Sequence, residues 1–172
     1  SSFTIPEGIT SISNSLFYGC SGLLSVNIPK GVTSIGDDAF HGCTSLTSLD
    51  IPENTSSIGK GAFYNCYNLT GLSIPKGITI IGEETFCDCH GIESILIPQG
   101  VTSIGNYAFN GCYGLSSVII PDGVTEIGSY AFNGCHGLTS VDIHEGVTTI
   151  GEYAFASCTS LKTIRIPSSV SI

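Results

Sequence analysis

Ile28-Pro29-Lys30-Gly31-Val32-Thr33-Ser34-Ile35-Gly36-Asp37-Asp38-Ala39-Phe40-His41-Gly42-Cys43-Thr44-Ser45-Leu46-Thr47-Ser48-Leu49-Asp50 decides the fold, because the chain keeps returning to it. Ile-Pro recurs at 5, 28, 51, 74, 97 and 120, becomes Ile143-His144 once, and returns at Ile166-Pro167, always 23 residues apart. Phe keeps the same period at 17, 40, 63, 86, 109, 132 and 155, and Cys at 20, 43, 66, 89, 112, 135 and 158. A fixed period of 20 to 29 residues with Leu-x-x-Leu-x-Ile spacing is the sequence mark of a leucine-rich repeat solenoid.

Each unit offers the core a similar set of side chains, in the second turn Ile28, Val32, Ile35, Phe40, Cys43, Leu46 and Leu49. Burying one large apolar side chain contributes ~1.5–3 kcal/mol, while ordering each residue costs ~1.5 kcal/mol. A single turn therefore cannot fold, and stability must come from the faces that neighbouring turns share. Residues 46–51 alternate, with Leu49 and Ile51 inward and Ser48 and Asp50 outward, which is the pattern of a strand. Pro52 lacks the N–H that would continue the ladder. Glycines at 31, 77, 100, 123 and 146 mark a turn, and a second column at 36, 59, 82, 105, 128 and 151 precedes the Ala-Phe pairs. The expected architecture is a single array of about seven turns over residues 1–172, with one parallel sheet on the concave face. The convex face has space only for short helical or 3₁₀ turns, because just the segment between Gly36 and Leu46 is left for it.

The wording Ile-Pro-x-Gly-Val-Thr-x-Ile-Gly-x-x-Ala-Phe-x-x-Cys-x-x-Leu resembles the BspA-like, or treponemal-type, leucine-rich repeat family along the whole chain. That resemblance implies a right-handed β/3₁₀-type coil in a surface or secreted protein of a host-associated bacterium or protist. Several such proteins are adhesins for host extracellular proteins or other cells. Departures occur at Asn54-Thr55 in place of Gly-Val, at Thr85 in place of Ala and at His144 in place of Pro. The family has no catalytic motif to transfer.

Composition excludes several partners. With 14 Asp+Glu against 5 Lys+Arg and a formal charge of -9, the chain lacks the clustered cations that displace counterions from nucleic acid. The same charge disfavours an anionic membrane surface, and no apolar run approaches the ~20 residues that span a bilayer. The apolar fraction of 41% is enough for a core.

Columns of polar residues are the candidates for chemistry. Seven of the eight cysteines share one column. Side chains stacked at ~4.8 Å point the same way and do not close to the ~3.8 Å Cβ separation of a disulfide, so reduced, buried thiols are expected. Cys87 stands outside the column and is expected to be exposed and reactive. Cys87-x-Cys89-His90 lacks the further converging ligands that zinc requires, and no metal or cofactor is expected. Tyr67, His90, Tyr113 and His136 form one aromatic column and Tyr107, Tyr130 and Tyr153 another, readable either as a rail for sugar or protein or as a stacking ladder between turns. Glu7, Lys30, Glu53 and Lys76 alternate in charge and suggest an exposed ion-pair ladder. Asp37-Asp38 and Glu83-Glu84 lack the dense loop of a calcium site. Without a nucleophile elbow, a P-loop, or His-Glu-x-x-His, the sequence carries no catalytic motif and is not expected to be an enzyme.

The outward strand column Asn27, Asp50, Ser73, Leu96, Ile119, Asp142 and Arg165 varies most and places two aliphatic residues among polar neighbours. These seven are the candidate partner-binding residues. The expected function is non-catalytic recognition, adhesin-like, with a protein or glycan of a host or neighbouring cell held on the concave sheet of an extracellular or surface protein. The alternative is a structural stalk that displays other domains. The sequence begins and ends inside a repeat, so it reads as an excerpt of a longer array or as a unit that associates end to end. Asn54-Thr55-Ser56 and Asn68-Leu69-Thr70 are glycosylation sequons expected at accessible turns.

Overall fold

A computed structural model describes residues 1–171 and shows a parallel-strand β-solenoid. Ile172, the last residue of the incomplete final repeat, lies outside the described residues. Strands pair in the repeat register, Val26 beside Phe3, Leu72 beside Leu49 and Val141 beside Val118. A shift by one residue would turn Leu49 and Val118 into solvent and Ser48 and Ser117 into the core, so the apolar alternation fixes the register.

Most turns contribute two strand segments. The first column, outlined by Ser25–Asn27, Ser48–Leu49, Gly71–Leu72, Ser117–Ile119 and Ser140–Asp142, is the one expected from the Leu-x-Leu-x-Ile alternation. A second column, Ser11–Ile12, Ser34–Ile35, Ser57–Ile58, Ile80–Ile81, Ser103–Ile104, Glu126–Ile127 and Thr149–Ile150, follows the Ile-Pro corner. These segments are two residues long with one inward Ile each, too short to show a period in sequence. The remaining side is built of single turns closed by N–H to O bonds three residues back, such as Tyr18 to Ser15 and Cys20 to Phe17, at 3.1 and 3.0 Å. No helix forms among the described residues.

Positive-φ residues occupy two columns on that side, Ser15, Asp38, Gly61, Glu84, Tyr107, Tyr130 and Tyr153, and four residues on, Gly19, Gly42, Asn65, Asp88, Gly111, Gly134 and Ser157. The conspicuous glycine column at 36, 59, 82, 105, 128 and 151 is absent from both. Its glycines, Gly82 apart, are required by close approach between turns instead. A Cβ on Gly105 would sit 2.8 Å from the Glu83 nitrogen and the Gly82 carbonyl carbon, and neither backbone atom can yield cheaply.

The core is a stack of like on like. Phe17, Phe40, Phe63, Phe86, Phe109, Phe132 and Phe155 lie with ring centroids 5.2–5.5 Å apart and planes within 14° of parallel. Beside this spine each column thiol from Cys43 to Cys158 donates to the carbonyl of the Phe one turn back, Cys43 to Phe17 at 3.2 Å and Cys112 to Phe86 at 3.2 Å. The cysteines are all free, as the geometry of stacked side chains requires. Two expectations are corrected. Cys20 is the exposed column thiol, against the expectation that all seven are buried. Cys87 is buried, at 3% exposure, because it is a small side chain in a slot held elsewhere by the rings of Tyr18, His41 and Tyr64, and Asn110 lies against it with its Nδ2 donating to the sulfur at 3.5 Å.

Candidate functional site

The outward column is where the sequence placed it. Asn27, Asp50, Ser73, Leu96, Ile119, Asp142 and Arg165 all face solvent. Leu96 and Ile119 stand out at 80% and 67% exposure, the highest values among the large hydrophobic residues described. Every other inward or corner aliphatic of their turns is buried, Ile95, Ile97, Val118 and Ile120 included. Leu96 and Ile119 therefore lie on the side of the strand that the core does not use.

The first sheet is notched. Its strands pair in separate groups, Ser2–Thr4 with Ser25–Asn27, Ser48–Leu49 with Gly71–Leu72, and Ser117–Ile119 with Ser140–Asp142; an isolated bridge joins Ser94 to Ser117. Grooves open at two of the breaks. One of about 530 Å³ lies between Asn27–Lys30 and Asp50–Asn54. Another of about 330 Å³ lies between Ser73–Ile74 and Leu96–Gly100, with Glu53 and Lys76 on its walls and Pro98 at its floor edge. The second column of strands has a single break, between Ser57–Ile58 and Ile80–Ile81, and is paired without interruption on either side of it. In the two first-sheet grooves apolar walls and a few charged groups meet; a further hollow of about 240 Å³ lies on the turn side among Asp88, Asn110, Tyr113, Asn133 and His136.

Charges along this edge behave differently from expectation. The Glu7, Lys30, Glu53, Lys76 column closes no ion pair within 4.0 Å among the described residues, so these groups stay available to a ligand. The pairs that do form are elsewhere: Lys60 with Glu83 at 3.1 Å and with Glu84 at 3.7 Å, and Arg165 with Glu145 at 2.8 Å. Hydrogen bonding to Glu83 and the field of both carboxylates hold the Lys60 ammonium above its ordinary value. Arg165 is the one member of the candidate column already engaged by an ion pair.

Both aromatic columns are self-stacked. Tyr67, His90, Tyr113 and His136 have successive centroids 4.7, 4.2 and 5.0 Å apart, and Tyr107, Tyr130 and Tyr153 stand at 4.9 and 5.0 Å. A third stack, Tyr18–His41–Tyr64 at 4.5 and 4.6 Å, was hidden in sequence because Cys87 and Asn110 continue its column. A sugar platform needs an open ring face, and here the faces lie against one another. These columns work as ladders between turns. Asn54 and Asn68 are exposed, with their side-chain amides donating to the Lys30 carbonyl at 3.5 Å and the Thr44 carbonyl at 2.6 Å.

Among the described residues, no group of three or more His, Cys, Asp or Glu could hold a metal ion, and no helix is long and apolar enough to cross a membrane. Burial pushes the Cys43 and Cys87 thiols up to about 12, and raises Cys66, Cys89, Cys112, Cys135 and Cys158 for the same first cause. Buried, protonated sulfur is a poor nucleophile and a poor ligand.

A family model described as the BspA type leucine rich repeat region matches residues 1–112 and 79–172 in six copies. Among solved structures, the T. pallidum leucine-rich repeat protein TpLRR is similar at 32% identity and a TM-score of 0.87, over 93% of this chain and 77% of that one. A leucine-rich repeat protein from Bacteroides ovatus is 35% identical with a TM-score of 0.74, over 86% of this chain and 46% of that one. The pneumococcal vaccine antigen PcpA is 26% identical with a TM-score of 0.68, over 99% of this chain and 51% of that one. Comparison with curated proteins returns no match.

Proposed function

The chain belongs to the BspA-type leucine-rich repeat family, and from that premise we propose that it is a non-catalytic recognition module of a surface or secreted protein, which holds its partner against the first sheet. The observation that carries this reading is the pair Leu96 and Ile119, 80% and 67% exposed beside a groove at a break in the sheet. Two adjacent aliphatic side chains on an otherwise polar strand face are the kind of anchor that protein interfaces bury at their centre. Likeness to a vaccine antigen supports placement at a cell surface, since such antigens must be reachable from outside.

The spacer reading has one observation of its own, the uninterrupted Phe17–Phe155 stack, which makes the array stiff whatever its surface does. One screen separates the two. The chain and its Leu96→Glu/Ile119→Glu variant are applied to arrays of purified extracellular proteins and glycans. Recognition predicts a signal present for the native chain and lost in the variant. A stalk predicts identical, empty arrays.

A further inference from the structure

The first sheet face is polarised as well as apolar. Between Asp50 and Asp142 it exposes Asp50, Glu53, Asp122 and Asp142 against Lys76, which shares its groove wall with Glu53; of the cations one turn beyond either end, Lys30 lines the groove of Asp50 and Arg165 is paired with Glu145. Along the column the order is Asp50, Ser73, Leu96, Ile119, Asp142. At ~4.8 Å per turn the two carboxylates lie ~19 Å apart with the aliphatic pair between them. That span is the reach of about six extended residues. The face shows no open aromatic ring, for the Tyr and His rings are stacked on other columns, so it lacks the platform on which a sugar ring packs.

We propose that the partner of this face is a cationic segment of another protein, extended along the solenoid axis, whose aliphatic side chains pack on Leu96 and Ile119 while Lys or Arg side chains reach Asp50 and Asp142. This rests on the reading that the first sheet is the binding surface, and adds to it the sign and shape of the partner. Leu96 and the floor of its groove, Ile97 and Pro98, receive one apolar side chain. Ile119 carries the next, one turn on. Asp142 lies directly beside Ile119 in the paired strand, so a basic residue two positions beyond the second apolar one, on the same face of the extended segment, meets a carboxylate. The chain's charge of -9 draws such a segment in from a distance, more strongly at low ionic strength.

The probe is the fluorescein-labelled peptide Lys-Ser-Leu-Ser-Leu-Ser-Lys (the Lys/Leu peptide), whose Lys and Leu side chains share one face when it is extended, followed by anisotropy with the full chain at two salt concentrations, alongside Glu-Ser-Leu-Ser-Leu-Ser-Glu (the Glu/Leu peptide) and a Lys/Ser peptide with Ser in place of both Leu. The Lys/Leu peptide is expected to bind at least ~10-fold more tightly than either control and to weaken as salt rises. Leu96→Ser and Asp142→Asn should each weaken it by ~3-fold or more, whereas Glu126→Gln, which removes a charge from the second column of strands, should leave it unchanged. Equal binding of the Lys/Leu and Glu/Leu peptides, or the same loss in Glu126→Gln as in Asp142→Asn, overturns the proposal. If a glycan or an acidic protein from the arrays binds in a Leu96-dependent way and the Lys/Leu peptide does not, the face is a binding surface and the cationic partner is wrong. If nothing binds in a Leu96-dependent way, both readings fall.

Discussion

Alkaline pH should unfold this protein abruptly, and the thiol column sets where. Seven of the eight free cysteines are buried, and burial raises each of their ionisations above the ordinary value. The folded chain therefore keeps these protons after the unfolded chain, with thiols near ~8.5, has begun to release them. Stability conferred in this way is complete below the unfolded value and is lost as pH climbs toward the folded one, which for Cys43 and Cys87 is about 12. Each thiol contributes a slope of ~1.4 kcal/mol per pH unit, so seven together approach ~10 kcal/mol per unit. A domain held by 5–15 kcal/mol should then unfold within roughly one to two units above pH 8.5. Urea titrations followed by circular dichroism from pH 7.5 to 10.5, with reductant present, measure the slope directly. Replacing Cys66, Cys89 and Cys112 by Val removes three of the seven linked protons and should flatten it to about four-sevenths. A midpoint that stays level through pH 10.5, or a slope unchanged in the triple variant, would refute the claim that buried protonated thiols line the core.

Gly105→Ala should destabilise by ~1–3 kcal/mol in urea unfolding, although glycine to alanine usually helps, because its Cβ meets the backbone of the turn below. Tyr130 holds φ at 58° while stacked between Tyr107 and Tyr153, so Tyr130→Gly should melt a few degrees above Tyr130→Ala; equal melting would show that the left-handed backbone stores no strain. In native chain one thiol, Cys20, should react promptly with a disulfide reagent while Cys87 waits for denaturant, and Cys20→Ser should abolish the prompt phase.

Repetition made most of the fold legible. Once Ile-Pro, Ala-Phe and Cys keep one clock, register, the inward faces and the free state of the column thiols follow from stacking alone. The Ser34–Ile35 type strands were not legible, since two residues cannot display an alternation and their strand character comes only from the neighbours they pair with. Nor were the left-handed columns, because they are filled by Ser, Asp, Glu and Tyr as readily as by Gly; stacking fixes the backbone there against local preference. Cys87 was misplaced for a related reason. Its column holds Tyr18, His41 and Tyr64, large half-exposed rings, and a small thiol in the same slot sinks beneath its neighbours. The exposure of Leu96 and Ile119 was readable from parity on the strand, but the grooves were not, because they arise where pairing lapses between turns of nearly identical sequence.

The central claim is that the first sheet recognises a partner through Leu96 and Ile119, and the most direct test is affinity and stability measured together. For whichever purified extracellular protein the native chain captures, calorimetric titration of the Leu96→Glu/Ile119→Glu variant should show binding weakened by at least ~30-fold, the loss of about 2 kcal/mol expected of an interface anchor. Both side chains point away from the core, so the variant's melting temperature should stay within a few degrees of native. Native affinity in a correctly folded variant would contradict the account.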